Sequence, residues 1–209
     1  CDLDVFVPDN SQQTTMPGCA DDDFVAVFTG AHGIANGLDA VLDAAAVLMS
    51  KGADRIKLVL IGHGMQKAHL QNRAETENLA NVVFLDPVPK TELANLMTSA
   101  DVGLMILANV RAFYYGTSPN KFFDYISGGV PVICNYPGWV SDMINECHAG
   151  LAVKPEDPLA FAEALRLLAE DKTQRQKMGK NARMLAESRF DRDKLSDKFA
   201  DLLESITSV

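Results

Sequence analysis

The chain has 209 residues, 47% of them hydrophobic, enough for one substantial core and too few for two full domains. Its formal charge of −9 at pH 7 argues against bulk nucleic-acid binding, because affinity for a phosphate backbone needs concentrated Lys and Arg. The charge is unevenly spread: no Lys or Arg precedes Lys51, whereas Lys172 to Lys194 holds eight basic residues against three acidic ones (Glu187, Asp191 and Asp193).

Cys1, Cys19, Cys134 and Cys147 show neither CxxC spacing nor a histidine at metal-ligand spacing, so no zinc site or disulfide framework is indicated and a reducing cytoplasm fits. No apolar run reaches ~18 residues and no signal-peptide pattern is present. Attachment at the inner membrane face stays compatible through the basic stretch 172–194, although a solvated mixed-charge helix is the commoner outcome. Because the sequence begins at Cys1, it reads as an excised domain.

Residues 1–23 lack periodicity and are rich in Asp, Gln, Thr, Pro and Gly, which predicts a linker or surface segment. FVAVFTG (24–30) is an apolar run closed by glycine, the pattern of a strand buried on both faces. Leu38, Val41, Leu42, Ala45, Leu48 and Met49 then follow helical spacing, with Asn36 as N-cap and Gly52 as the stop. The alternation continues through strand IKLVLIG (56–62), a polar helix to about Leu79, strand NVVFLD (81–86), a helix opened by Thr91, and strand DVGLMIL (101–107).

A long loop (108–117) leads to a helix that Ser118 caps and Pro119 opens. Strand VPVICN (130–135), a short helix near 139–147 and GLAV (150–153) follow. Asp157-Pro158 opens a helix with Phe161, Leu165 and Leu168 on one face, and two further helices reach the C-terminus. The fold class is therefore α/β: an open, doubly wound, Rossmann-like parallel sheet of about six strands with extra C-terminal helices. Its parts are a linker (1–23), a ligand-binding domain (24–190) and a C-terminal helix (191–209).

Such a sheet binds ligands at the carboxyl ends of its strands, so the loops after Thr29, Ile61, Leu85, Leu107 and Asn135 are the candidate positions. TGAHGIANG (29–37) allows close anion approach at Gly30 and Gly33, and His32 could donate to a phosphate or a sugar hydroxyl. The spacing fits neither a dinucleotide fingerprint nor a P-loop, and a ligand-free tight turn explains it equally well. Gly62 in IGHGM repeats the arrangement, where an ordinary glycine turn suffices.

The helix of SPNKFFDY carries Lys121 in its first turn, where the helix dipole disfavours a cation unless an anion lies in front of it. Lys121 and Asp124 are i, i+3 neighbours, and Phe122, Phe123 and Ile126 can face the sheet. An ammonium beside the free backbone N–H groups of the helix start suits a phosphate, and the carboxylate suits paired ribose hydroxyls; a plain Lys121–Asp124 ion pair is the alternative. Phe113, Tyr114 and Tyr115 in the preceding loop read as a lid, with at least one of them packed. Asp21, Asp22 and Asp23 precede the first strand and are taken as loop charges, not a metal site.

The ordered segments FTGAHGIANGLDAVLDAA, LVLIGHG, NVVFLDPVPKTELANLMTSADVGLM, SPNKFFDYISGGVPVICN, AGLAVKPEDPLAFAEALRLL and ESRFDRDKL resemble the C-terminal, donor-binding half of a family 4 glycosyltransferase of GT-B fold. The resemblance covers nearly all of the chain from Phe24 onward, and CDLDVFVP resembles the segment entering from the interdomain linker. It implies a nucleotide-sugar donor of UDP, GDP or dTDP type, a retaining reaction without a metal or cofactor, and an acceptor glycan or lipid-linked sugar held by an N-terminal domain.

Bacterial surface polysaccharide assembly is the implied setting. The isolated domain is expected to be inactive, and the C-terminal helix to pack toward the N-terminal domain. The family's two glutamates, separated by seven residues, align with Gly116 and Asp124, and its diphosphate-binding Arg and Lys align with Ala31 and Asn36. Asp124 thus takes the ribose role, while Gly33, Thr117, Ser118, Pro119, Asn120 and Lys121 face the diphosphate and the loop through Val88 covers the base. Two other readings stay open: a nucleotide-sugar epimerase of related fold, with His32 as its weak acid/base candidate, and a non-catalytic flavodoxin-like interaction module.

Overall fold

The fold was analysed in a computed structural model that describes residues 1–8 and 14–207. Residues 9–13 of the expected linker and 208–209 of the expected C-terminal helix lie outside the described residues. The strands are β1 (Phe24–Thr29), β2 (Ile56–Ile61), β3 (Val82–Leu85), β4 (Val102–Met105), β5 (Val132–Cys134) and β6 (Gly150–Ala152). All pair in parallel, in the order β3-β2-β1-β4-β5-β6. This is the doubly wound Rossmann-like sheet expected from the alternation of apolar runs and helical segments.

Strand β1 shows why those runs are uninterrupted. Successive side chains point to opposite faces, and both faces are covered: Val25 and Val27 enter one core, Phe24, Ala26 and Phe28 the other. Helices α1 (Asp39–Ser50), α2 (Lys67–Thr76) and α7 (Pro158–Glu170) cover the Phe28 side. Helices α3 (Lys90–Met97), α5 (Asn120–Ser127), α6 (Trp139–Glu146) and α8 (Lys172–Arg189) cover the other. In α7, Phe161, Leu165 and Leu168 are buried as their spacing predicts, and the Asp157 carboxylate caps the helix by accepting from the Ala160 amide at 2.9 Å.

Several local expectations are corrected. Asn36 does not cap α1; it ends a 3-10 turn (Ile34–Asn36) and donates to the Ala31 carbonyl at 2.6 Å, and the left-handed Gly37 then redirects the chain. Helix α3 starts one residue before Thr91. Ser118 does not cap α5: Pro119 is still extended, at φ −81° and ψ 120°, so the helix starts at Asn120 without a side-chain cap. The expected loop 108–117 contains a short helix, α4 (Arg111–Gly116), held by Tyr114, which is buried, stacked on Tyr136 and bonded to Asn109.

In the N-terminal segment, Phe6 and Met16 are buried in the core beneath α5 and α8. Arg183 of α8 ties this segment to the end of α5, donating to Phe6 O at 3.0 Å and Ser127 O at 2.6 Å. The last helix, α9 (Arg192–Thr207), presents Leu195, Phe199, Leu202 and Ile206 to solvent.

Candidate functional site

Connections leave the sheet in opposite directions after β1 and β4, so a crevice opens between the carboxyl ends of these neighbouring strands. Its β1 side begins at Gly30, exposed and at φ +131°. The two walls meet at the Ala108 amide, which donates to Ala35 O at 3.0 Å. Gly62 and Gly64 are explained by packing: a Cβ on Gly62 would overlap the Gly30 carbonyl oxygen, and one on Gly64 would overlap the His32 backbone. The glycine of the second loop thus lets the β1 and β2 loops touch.

Helix α5 is fixed across this crevice by Tyr125. Its ring fills the space above Gly103 of β4, where a Cβ would collide with it, and its hydroxyl accepts from the Thr29 amide at 2.9 Å. Phe122, Tyr125 and Ile126 are fully buried, whereas Phe123 turns sideways against Trp139 and Phe190. Sequence reasoning placed Phe123 on the sheet and passed over Tyr125; a glycine in the middle of a buried strand was the available signal.

That anchoring carries Lys121 from α5 to the end of β1. Its Nζ lies 4.6 Å from the Phe28 ring centroid and 3.6 Å from where a Cβ on Gly30 would stand. Burial lowers its pKa to about 8. The alternative Lys121–Asp124 ion pair is not formed: Asp124 pairs with Lys90 at 3.5 Å, and Lys90 also meets Asp2. Burial raises the Asp124 pKa despite Lys90, so this carboxylate is held close to α3 and partly desolvated.

His32 is brought to the crevice floor rather than its surface. Its imidazole is fully buried between Phe28 and Phe84, and neither ring nitrogen has a hydrogen-bond partner among the described residues. Burial, then the charge of Lys67, lowers its pKa to about 4. The part of His32 available at the loop is its backbone, which bonds His63 O and the Gln66 amide. Lys67 was not foreseen: its Nζ donates to Gly62 O at 3.0 Å, Leu85 O at 3.1 Å and Asp86 Oδ1 at 2.7 Å, locking the carboxyl ends of β2 and β3.

Thr117 accepts from the Trp139 indole at 2.9 Å, and Ser118 and Asn120 are exposed beside it. Val88 is half-buried at the start of the β3–α3 connection. Gly116 has open space around it, so a side chain there would project freely. Tyr115 is exposed next to it.

The sequence profile described as glycosyl transferases group 1 matches residues 15–185. The chain belongs to this family. It is 29% identical over 197 residues to a D-inositol 3-phosphate glycosyltransferase of Paenarthrobacter aurescens, a match covering 90% of the chain and 46% of that protein. It is 31% identical over 157 residues to the D-rhamnosyltransferase WbpZ of Pseudomonas aeruginosa, covering 75% and 39%. Among solved structures, Anabaena Alr3699/HepE in complex with UDP-glucose superposes with a TM-score of 0.76 at 18% identity, over 98% of this chain and 56% of that one. This glycosyl transferases group 1 chain thus spans about half the length of the relatives it matches or less, and its sheet is that of the GT-B glycosyltransferases.

Proposed function

We propose that this chain is the donor-binding part of a retaining glycosyltransferase that moves a sugar from a nucleotide diphosphate to a glycan or lipid-linked acceptor in surface polysaccharide assembly. The observation that carries the reading is the meeting, at the β1/β4 crevice, of α5, the Gly30 turn and an ammonium that no carboxylate among the described residues pairs with. Family membership and the UDP-glucose complex of the HepE structure support it. The free amides of the first turn of α5 face a diphosphate, and Asp124 accepts from the ribose hydroxyls. The connection through Val88 covers the base.

The contribution to transfer would be positioning and electrostatic stabilisation of the departing diphosphate. An epimerase reading loses its acid/base candidate, because both His32 nitrogens are buried. We also assign the apolar face of α9 to contact with an acceptor-binding domain. Slower amide exchange in α9 when both domains are present is expected, and equal exchange overturns that assignment.

A thermal-shift panel of UDP, GDP, dTDP and ADP, each with and without its sugar at about 1 mM, tests the main reading. One base should raise the midpoint, because a ligand bound only by the native state stabilises it. No shift with any of them overturns the reading in favour of a non-catalytic module.

A further inference from the structure

We infer that Lys121 is the cation that neutralises the donor's diphosphate, reaching it from α5 across the β1/β4 crevice instead of from the β1 loop. The inference rests on the donor-binding reading above and names the residue that gives the site its charge.

The β1 loop, residues 29–37, holds no Lys or Arg and is closed on itself, since Asn36 donates to the Ala31 carbonyl at 2.6 Å. The neighbouring lysines are occupied. Lys67 spends its three donors on Gly62 O, Leu85 O and Asp86, and Lys90 lies between Asp2 and Asp124. Among the described residues no carboxylate pairs with Lys121. Its ammonium rests on the Phe28 ring, an interaction worth roughly 0.5–2 kcal/mol, which does not replace a full counter-charge.

An ammonium that is desolvated and unmatched is costly to retain, and a phosphate oxygen removes that cost by a charge-assisted hydrogen bond. The groups around it do not compete: Phe28 on β1 and Gly30 just after it are not titratable, Asp124 on α5 is held by Lys90 of α3, and His32 is buried below. The lowered proton affinity of Lys121 adds a signature. Above about pH 8 diphosphate binding must restore the proton that Lys121 has lost, so affinity should fall as pH rises through that value.

The test is calorimetric titration of the 209-residue chain with the nucleoside diphosphate that the panel selects and with the matching nucleoside, from pH 7 to 9.5. In the unchanged protein, diphosphate affinity should drop by up to about tenfold per unit above pH 8 while nucleoside affinity stays level. Lys121→Met should lose about 10- to 100-fold in diphosphate affinity together with the pH slope, and keep its affinity for the nucleoside. Lys121→Arg, permanently charged, should retain part of the affinity without the slope.

Methionine suits the desolvated stem, so the variant should melt no lower than the parent protein, which separates lost binding from lost folding. Diphosphate affinity of Lys121→Met within twofold of the parent overturns the assignment and leaves the donor-binding reading intact. Failure of the parent protein to bind any nucleoside diphosphate overturns both.

Discussion

Strand β1 carries a cation at each end. At the amino end Arg175 lies 5.3 Å above Phe24; at the carboxyl end Lys121 lies 4.6 Å above Phe28. The rings are four residues apart on one face of the strand, but the cations are treated differently. Arg175 is completed: its Nε meets Asp101 at 3.1 Å, its Nη1 caps the end of α7 at Leu168 O, and Asp101 accepts from the Val25 amide at 2.9 Å. Lys121 has the aromatic face and, among the described residues, no carboxylate. Similar chemistry thus serves architecture where the cation has a carboxylate, and, on the donor-binding reading, offers a binding position where it has none.

The largest effect should come from breaking the completed end. Asp101→Ala removes the partner of Arg175 and the acceptor of the Val25 amide together, and should cost about 2–4 kcal/mol in urea unfolding. Nucleotide affinity of the protein that remains folded should not change; a parallel loss of affinity would mean that the two ends are coupled through β1.

A smaller effect is expected at the floor of the open end. His32 has a folded pKa of about 4 against 6.5 for a free imidazole, so the unfolded chain binds the extra proton between these values. Its neutral burial stabilises the fold fully above pH 6.5, and that contribution is lost as pH falls toward 4. His32→Leu should flatten this acid limb by roughly 1–3 kcal/mol between pH 6.5 and 4. An unchanged limb in chemical denaturation would place the acid sensitivity elsewhere.

The smallest effect on stability sharpens the comparison most. Gly116→Glu projects into open space and should shift stability by no more than about 0.5 kcal/mol. It places an acid where the family resemblance implies one. It should therefore raise affinity for the sugar-bearing donor relative to the bare diphosphate, and an equal effect on both would remove that position from the sugar end.

The strands were legible because burial on both faces writes an unbroken apolar run, and α7 because Asp157-Pro158 combines a cap with a fixed backbone angle. Helix α4 was not, because six residues have no readable period and are held by Tyr114 on Tyr136, twenty-two positions later in the chain. Lys121 stood out as a cation at a helix start, yet its partner ring at Phe28 depends on which strand α5 crosses. Lys67 gave no signal at all, since its acceptors include two strand-end carbonyls that only the sheet order brings together. Phe6 and Met16 belong to a segment without helical or strand periodicity, and only the tertiary fold gives them a core to enter.

The seating of Tyr125 sets how this domain can move. With its ring over Gly103 and its hydroxyl on the Thr29 amide, α5 is bolted to both strands that flank the crevice. Sliding the helix would expose a buried donor and open a void beneath the ring, each costing on the order of 1–3 kcal/mol. The helix and the two strand ends therefore travel as one rigid plate. Any closing motion around a ligand has to be hinged in the surrounding connections, with the plate as its fixed anvil.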